Sequence, residues 1–560
     1  METNLPVLPI SVNAAKSRGL FPRTWQYIGY DECNLTLTPD GRELLAKFGK
    51  LAPGGPADRK NPAHYYVRAH HMLCTGNLQA VAKWGSTNAY TEDEAGNPIH
   101  DFSVIDQMLD TWLGLGLKPF FEIGFMPRDL ADPRFVEKGT EYDLGMMGDY
   151  RRRGWSAPPK DYGRWYDLIR DLVSHCVERY SRAEVESWYW ELWNEPDIFY
   201  WRGSREEFFR LYDVTEAAVH DALPTAYFGG PATTGTDLPD GNAALFLDAF
   251  LTHVKVGTNY HSGLTGTRVD FLSFHTKGGI YNTTLRREKQ LPTIELFLEN
   301  VRVAAAIIQK HGYGSLEICL SEADPDSWAA GGRYDNFNLN FRNTEYFASY
   351  VACSYERLYA LAEELGMDLR PLAWTFAFDW ERLFEGMRTF TTRGVDKAVF
   401  NLFKLYARLW EERVTARVEG PVQDPDGTYT GVWAFRADAP GGDNREMLQV
   451  FVVRHHDDWD VDRDAVVRLR IEGLAADGTV EVRRFRIDQA YSNPYAEWLR
   501  QGRPDYPAPQ GYEAVKRRDG LEEISPLHGV VTAGVLELDT LLSSHAVELL
   551  EIRPEGRSAK

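Results

Sequence analysis

Residues 188–201 read WYWELWNEPDIFYW, and the reading of this run decides the fold. Two glutamates, Glu191 and Glu195, stand among four tryptophans and two tyrosines, and Pro196 follows the second directly. Proline cannot donate to a strand ladder, so an extended segment ends at Asn194-Glu195 and presents an acid at its carboxyl end. Aromatic walls around a carboxyl group suit a ligand with flat C–H faces and many hydroxyls, as a sugar ring has. The same residues would also serve as an ordinary core strand with a turn and helix cap behind it, so the case depends on what flanks the run.

Toward the N-terminus, strands are expected at 25–31 (WQYIGYD), 65–70 and 118–125 (KPFFEIGF), with helices at 39–50, 101–116 and 162–180 between them and the run. In the helix at 101–116, Val104, Ile105, Met108, Leu109, Trp112 and Leu113 recur at helical spacing. Toward the C-terminus the alternation continues with helix 205–222, strand 226–229, helix 243–253, strand 271–275, helix 293–311, strand 316–321 (LEICLS), helix 343–365, strand 372–378 and helix 395–409. Eight strand–helix units over residues 22–412 predict an α/β chain whose parallel strands close into a (β/α)8 TIM barrel. An open doubly wound sheet is the alternative, although nothing in it requires eight units.

Past residue 412 the period changes. Short alternating strands are expected at 431–435, 447–454, 465–471, 479–487, 530–538 and 546–552, punctuated by turns such as Asp424-Pro425-Asp426-Gly427. They predict an accessory antiparallel β-sandwich at 413–560, which the apolar N-terminal segment within 1–21 joins as a further strand. Residues 491–512, rich in Pro, Tyr, Gln and Asn and without a period, are expected to form a long loop that covers a surface or reaches the barrel mouth.

Composition narrows the function classes. With 82 acidic against 62 basic side chains, the net charge is −20, which repels nucleic acid and anionic membrane surfaces, and no basic run offsets it. No apolar run is long enough to cross a bilayer, and no secretory leader is evident. The five cysteines are scattered without a Cys-x-x-Cys, which favours reduced thiols and a cytoplasmic location. No HExxH, Walker loop or dinucleotide fingerprint occurs, so neither a metal nor another cofactor is expected. The expected partner is a small carbohydrate; the oligomeric state is left open.

In such a barrel the reacting groups sit at the carboxyl ends of the strands. Glu195 ends the fourth strand and Glu322 the seventh, and these lie on opposite sides of a narrow barrel. Two carboxyl groups flanking one bond are the apparatus of glycoside hydrolysis. Desolvation by Trp193, Tyr200 and Trp201 would raise the Glu195 carboxyl toward a general acid, whereas Ser321 and Ala323-Asp324 would hold Glu322 ionised as a nucleophile. The plain alternative for Glu322 is an acid favoured in the first turn of a helix.

WNEPD at 193–197, ICLSEAD at 318–324, VRAHHM at 67–72 and FLSFH at 271–275 together resemble glycoside hydrolase family 39, which contains β-xylosidases and α-L-iduronidases. The resemblance extends over nearly the whole chain. It implies Glu195 as acid/base, Glu322 as nucleophile, Asn194 as the contact to the sugar 2-hydroxyl, and His70 and His275 as sugar-binding residues. Trp374, Phe378, Asp379 and Glu381, around the end of the eighth strand, are expected to border the pocket. Lys277 departs from the β-xylosidase pattern and is similar to the HxKG of the iduronidase branch; it is expected to bind in the site with its charge neutralised by a rim acid such as Glu381 or Asp379. The expected activity is a retaining exo-glycosidase that removes β-1,4-linked xylose from the non-reducing end of xylo-oligosaccharides. The alternatives are an iduronidase-like uronide hydrolase and a catalytically silent carbohydrate-binding barrel.

Overall fold

The computed structural model describes residues 5–55, 59–75, 87–137, 148–285, 287–328, 331–375, 381–438 and 446–555. Its organising element is a closed parallel sheet of Tyr27–Tyr30, Tyr66–Ala69, Lys118–Ile123, Tyr189–Leu192, Phe228–Thr233, Phe271–Lys277, Glu317–Asp324 and an eighth strand in two pieces, Asp368–Pro371 and Ala373–Trp374. Closure comes where Ala373 and Trp374 pair in parallel with Ile28 and Gly29. A side chain at Gly29 would collide with the Trp374 ring, its Cβ falling 2.3 Å from the indole, so glycine is what allows the tryptophan to lie across the seam.

The helices form where the 3.6-residue pattern predicts, and side chains mark their starts. Thr38, Asp161, Thr293 and Thr344 each accept from a first-turn amide, and Ser204 with Glu207 makes a reciprocal capping box. Gly312 and Gly366 end two helices in the left-handed region, at φ 83° and 66°. Among the described residues, no helix is long and apolar enough to cross a membrane.

The second sheet has nine strands in the order Glu522–Val531, Gly478–Ile487, Ala546–Pro554, Glu446–His455, Tyr429–Asp438, Glu412–Val418, Val7–Leu20, Ala465–Glu472 and Leu536–Leu542. It is mostly antiparallel; the N-terminal strand pairs antiparallel with Glu412–Val418 but parallel with Ala465–Glu472. Strict alternation, as in Leu536–Leu542, buries one face around an aliphatic core that includes Ile10, Val450, Leu469 and Leu550. The other face sends Trp433, Phe435, Phe451, Phe485 and Leu549 into the core cluster of the barrel, where Phe21 meets Trp433 at 4.9 Å and Tyr359 at 4.7 Å. Each large apolar side chain buried there contributes about 1.5–3 kcal/mol, so the two sheets share one packing problem.

Two expectations are corrected. Residues 530–538 do not form one strand: a turn with Ala533 and Gly534 at positive φ splits them between Glu522–Val531 and Leu536–Leu542. Residues 491–512 are not a structureless loop but carry helix Pro494–Arg500 and the start of Pro509–Lys516, the first capped by Asn493 and both opening on proline. Tyr495 and Trp498 of this segment pack on Leu383, Phe384 and Val395 beyond the eighth strand and do not enter the barrel mouth.

Candidate active site

The fourth strand stops at Leu192, and the chain then turns sharply through Trp193 and Glu195, both non-glycine residues in the left-handed region at φ 68° and 46°. Such backbone is costly and persists only when its surroundings hold it. Here the Glu195 amide donates to the Ala232 carbonyl at 2.8 Å and the Trp193 amide to the Ile123 carbonyl at 3.1 Å, which ties the turn to both flanking strands. Glu195 is thereby aimed over the barrel axis. Glu322 is aimed by a different device: the seventh strand slips register between Leu320 and Glu322, so that Glu322 pairs with His275.

The two acids converge as expected. Glu195, His275 and Glu322 each offer an atom within 4.8 Å of the other two. Around them lies a buried lattice of charge. Arg68 donates from Nε to Glu191 at 2.5 Å, pairs with Glu122 at 2.9 Å, donates to the Asn194 side-chain oxygen at 3.0 Å and lies 3.6 Å from Glu322. His70 bridges Glu122 at 2.5 Å and Glu322 at 3.2 Å. Lys277 donates to Glu322 at 2.7 Å and to Asp324 at 2.6 Å.

This lattice drives the two carboxyl groups apart. Burial, reinforced by the negative charge of Glu322, lifts Glu195 to about 7. Burial alone would lift Glu322 as well, but the Lys277 ammonium and the His70 imidazolium hold it well below the usual carboxylate range. Burial would also discharge His70, yet Glu122 and Glu322 overcome this and raise it to about 10, so it remains cationic. His275, with Nδ1 2.9 Å from Glu195, is fully buried and lowered to about 3 by that burial. On the acid side of neutrality the site therefore presents one protonated acid beside one carboxylate.

A cavity of about 890 Å³ opens over this pair. Of the residues expected from sequence, His70, Asn194, Glu195, Lys277 and Glu322 line it. His275 and Trp374 lie beneath it with no exposed surface; Trp374 packs under His70 at 4.9 Å and donates to Asp31 at 3.1 Å. Glu381 does not belong to the cavity: its carboxylate accepts from Thr389 at 3.3 Å and faces Lys397 at 3.7 Å. Lys277 is neutralised by Glu322 and Asp324, not by Glu381, and Phe378 and Asp379 lie outside the described residues. The aromatic wall is also different in detail. Tyr200 lines the cavity together with Phe199, Tyr281 and Trp328, whereas Trp193 and Trp201 pack edge-to-face at 5.2 Å behind it.

Sequence reasoning missed Asp31, Arg388 and the supporting acid Glu122. Asp31 follows the first strand and could have been found by the rule that picked Glu195; Arg388 lies in a loop with no periodic signal. The Glu195–His275–Glu322 set is also the one among the described residues spaced to hold a metal ion. It does not fit one, because Lys277 and Arg68 already place positive charge on Glu322 and burial raises the Glu195 pKa, which disfavours the ionised ligand.

A strand-end acid pair in a closed (β/α)8 barrel belongs to many glycosidases, and the wider chain narrows the choice. The profile described as Glycosyl hydrolases family 39 matches residues 8–520. The chain belongs to family 39. Its glycoside hydrolase character follows, and the match includes both the barrel and most of the second sheet. A β-xylosidase of Geobacillus stearothermophilus is 26% identical over 507 residues, covering 87% of this chain and 86% of the relative. A β-xylosidase of Caldicellulosiruptor saccharolyticus is 23% identical over 561 residues, covering 98% and 99%. Among solved structures, one described as the bacterial orthologue of human α-L-iduronidase superposes with a TM-score of 0.72 at 20% identity, covering 99% of this chain and 84% of the other.

Proposed function

We propose that this family 39 enzyme is a retaining exo-β-xylosidase that releases xylose from the non-reducing end of short xylo-oligosaccharides. The observation that carries the reading is the pair Glu195 and Glu322, with one oxygen of each within 4.8 Å of the other and their pKa values shifted in opposite directions. Retaining enzymes need carboxyl groups about 5–5.5 Å apart, because inverting enzymes must leave room for a water between acid and base.

In the first step a Glu322 oxygen attacks the anomeric carbon while Glu195 gives its proton to the glycosidic oxygen. The carbon–oxygen bond breaks with its electron pair on that oxygen, the aglycone leaves as an alcohol, and xylose remains as an ester of Glu322. The negative charge of Glu322 is lost at that moment, and with it one cause of the raised Glu195 pKa. Glu195 is thus a weaker base exactly when it has just become one, yet it sits close enough to take a proton from water. That water attacks the anomeric carbon, the ester breaks, and both carboxyl groups return to their starting states.

A neutral pentose suits the site because Lys277 is shared between two carboxylates and offers little net charge to a substrate. The relatives named β-xylosidases support the same substrate class. One observation favours a second reading, a uronide hydrolase: Arg388 lines the same cavity, is 3% exposed, and has no partner for its Nε among the described residues. Rates on a panel of nitrophenyl glycosides separate the two. β-Xyloside is expected to be cleaved far faster than glucuronide or iduronide; a faster uronide whose advantage disappears in Arg388→Met would replace the proposal. A division into a barrel at 22–412 and an accessory unit of 1–21 with 413–560 is proposed on the same footing, as is a reducing, cytoplasmic setting, which the five unpaired buried cysteines support.

A further inference from the structure

The segment joining the seventh strand to helix Glu345–Leu365 faces two cavities. Ser327, Trp328, Gly331 and Asp335 look into the catalytic one, while Tyr334, Phe337 and Asn340 look into a second of about 520 Å³. The far side of the second cavity comes from elsewhere in the chain, from Trp459 in the turn between strands Glu446–His455 and Ala465–Glu472 and from Arg503 of the two-helix insert.

Phe337 is 48% exposed, and its ring has no aromatic partner among the described residues. Tyr334, 49% exposed, lines the same cavity, so the open aromatic surface is shared by two neighbouring side chains and is not a single scattered ring, and contiguous apolar surface of this kind marks binding sites. Across the cavity, Trp459 stacks on Phe341 at 6.1 Å, nearly parallel at 13°, with the Lys289 ammonium 5.3 Å from the Trp459 ring. Polar groups suited to hydroxyls stand beside these faces. Arg503 stands exposed on this cavity with no ion-pair partner among the described residues, and the Asn340 side-chain oxygen accepts from the Tyr495 hydroxyl at 3.1 Å and the Asn343 amide at 3.4 Å, which leaves the Asn340 amide donors without an acceptor among them. Flat apolar faces flanked by neutral and cationic donors match a pyranose, whose rings stack while its hydroxyls accept.

We propose that this second cavity is a non-catalytic oligosaccharide site, with Phe337 as stacking platform and Asn340 and Arg503 as donors to sugar hydroxyls. Its occupant is the xylosyl chain of a longer substrate, an identity that rests on the β-xylosidase reading above. Because one loop walls both cavities, a chain held in the second raises the local concentration of chain ends at the first.

The test uses the full-length protein made inactive by Glu322→Ala, titrated calorimetrically with xylohexaose and xylobiose, with and without Phe337→Ala. Loss of the stacking face is expected to weaken xylohexaose binding by about three- to tenfold and to leave xylobiose binding nearly unchanged. In the otherwise wild-type enzyme, Phe337→Ala should leave kcat and KM for nitrophenyl β-xyloside unaltered and raise KM for xylohexaose. Equal xylohexaose affinity with and without Phe337 would overturn the site, and so would a matching loss for xylobiose. Tighter binding of cellohexaose than of xylohexaose would overturn the assigned sugar. Failure of the wild type to cleave nitrophenyl β-xyloside would instead sink the functional reading, so the two failures are distinguishable.

Discussion

The barrel buries an arginine among acids at both of its ends, and only one end is built for chemistry. At the amino end, Arg370 meets Glu317 at 3.0 Å and Asp368 at 2.8 Å, and donates to the Tyr27 hydroxyl at 2.7 Å. Tyr189 donates to Glu317 at 2.5 Å, and the stacked rings of Tyr27 and Tyr66 close the floor at 5.2 Å. At the carboxyl end, Arg68 meets Glu122 and Glu191 in the same way, but two more acids, Glu195 and Glu322, face each other there across a cavity. A cavity also exists at the floor, about 660 Å³ against 890 Å³ at the mouth, so empty space is not the difference. The difference is polarisation. At the floor Arg370 is shared between Glu317 and Asp368, whereas at the mouth the cations are distributed so that the pKa of one carboxyl group is raised and that of the other lowered.

The largest effect that tests this contrast is expected from the acids of the mouth. Glu322→Ala should lower turnover on all glycosides by on the order of 10⁴-fold or more, whereas Glu195→Ala should cost about 10²–10⁴-fold and only on substrates whose leaving group needs a proton. Azide should rescue the first as the α-glycosyl azide and the second as the β-glycosyl azide; product NMR showing the reverse would exchange the two roles.

Next in size is the consequence of removing each arginine. Arg370→Met leaves Glu317 buried without its cation and is expected to cost about 3–5 kcal/mol of stability in urea unfolding, with kcat per folded molecule unchanged. Arg68→Met should cost comparable stability and also lower kcat, since Asn194 and Glu322 lose a partner. An Arg370 variant with normal stability and a damaged kcat would break the division between a structural floor and a catalytic mouth.

The smallest effect is a displacement of the pH profile. On the proposed mechanism activity needs Glu322 ionised and Glu195 protonated, so it should fall on the acid side as Glu322 takes up a proton and on the alkaline side near pH 7 as Glu195 loses one. Lys277 lowers both pKa values, so Lys277→Met should move both limbs of kcat/KM toward higher pH. Limbs that stay in place would show that Lys277 does not set the protonation of the pair.

The eight strand–helix units were legible because each barrel strand and its helix carry their period in adjacent residues, and Glu195 was legible because Pro196 marks the strand end within the same short run. The parallel pairing of the N-terminal strand was not, since Ile10 meets Leu469 only across hundreds of intervening residues. Nor was the capped helix at Pro494–Arg500, whose Tyr495 and Trp498 find their burial against Phe384 and not within their own segment.

At the site the same division holds. Sequence alone determined which acids stand at strand ends and that aromatic side chains surround them, because those are properties of neighbours along the chain. It could not determine that Lys277 would fall on Glu322 and Asp324, that Glu381 would turn away to Lys397, or that Glu122 would keep His70 charged. Those contacts join different strands, and a pKa depends on every charge within a few ångströms in space. Two glutamates with the same chemistry became an acid and a carboxylate only when the tertiary structure chose their neighbours.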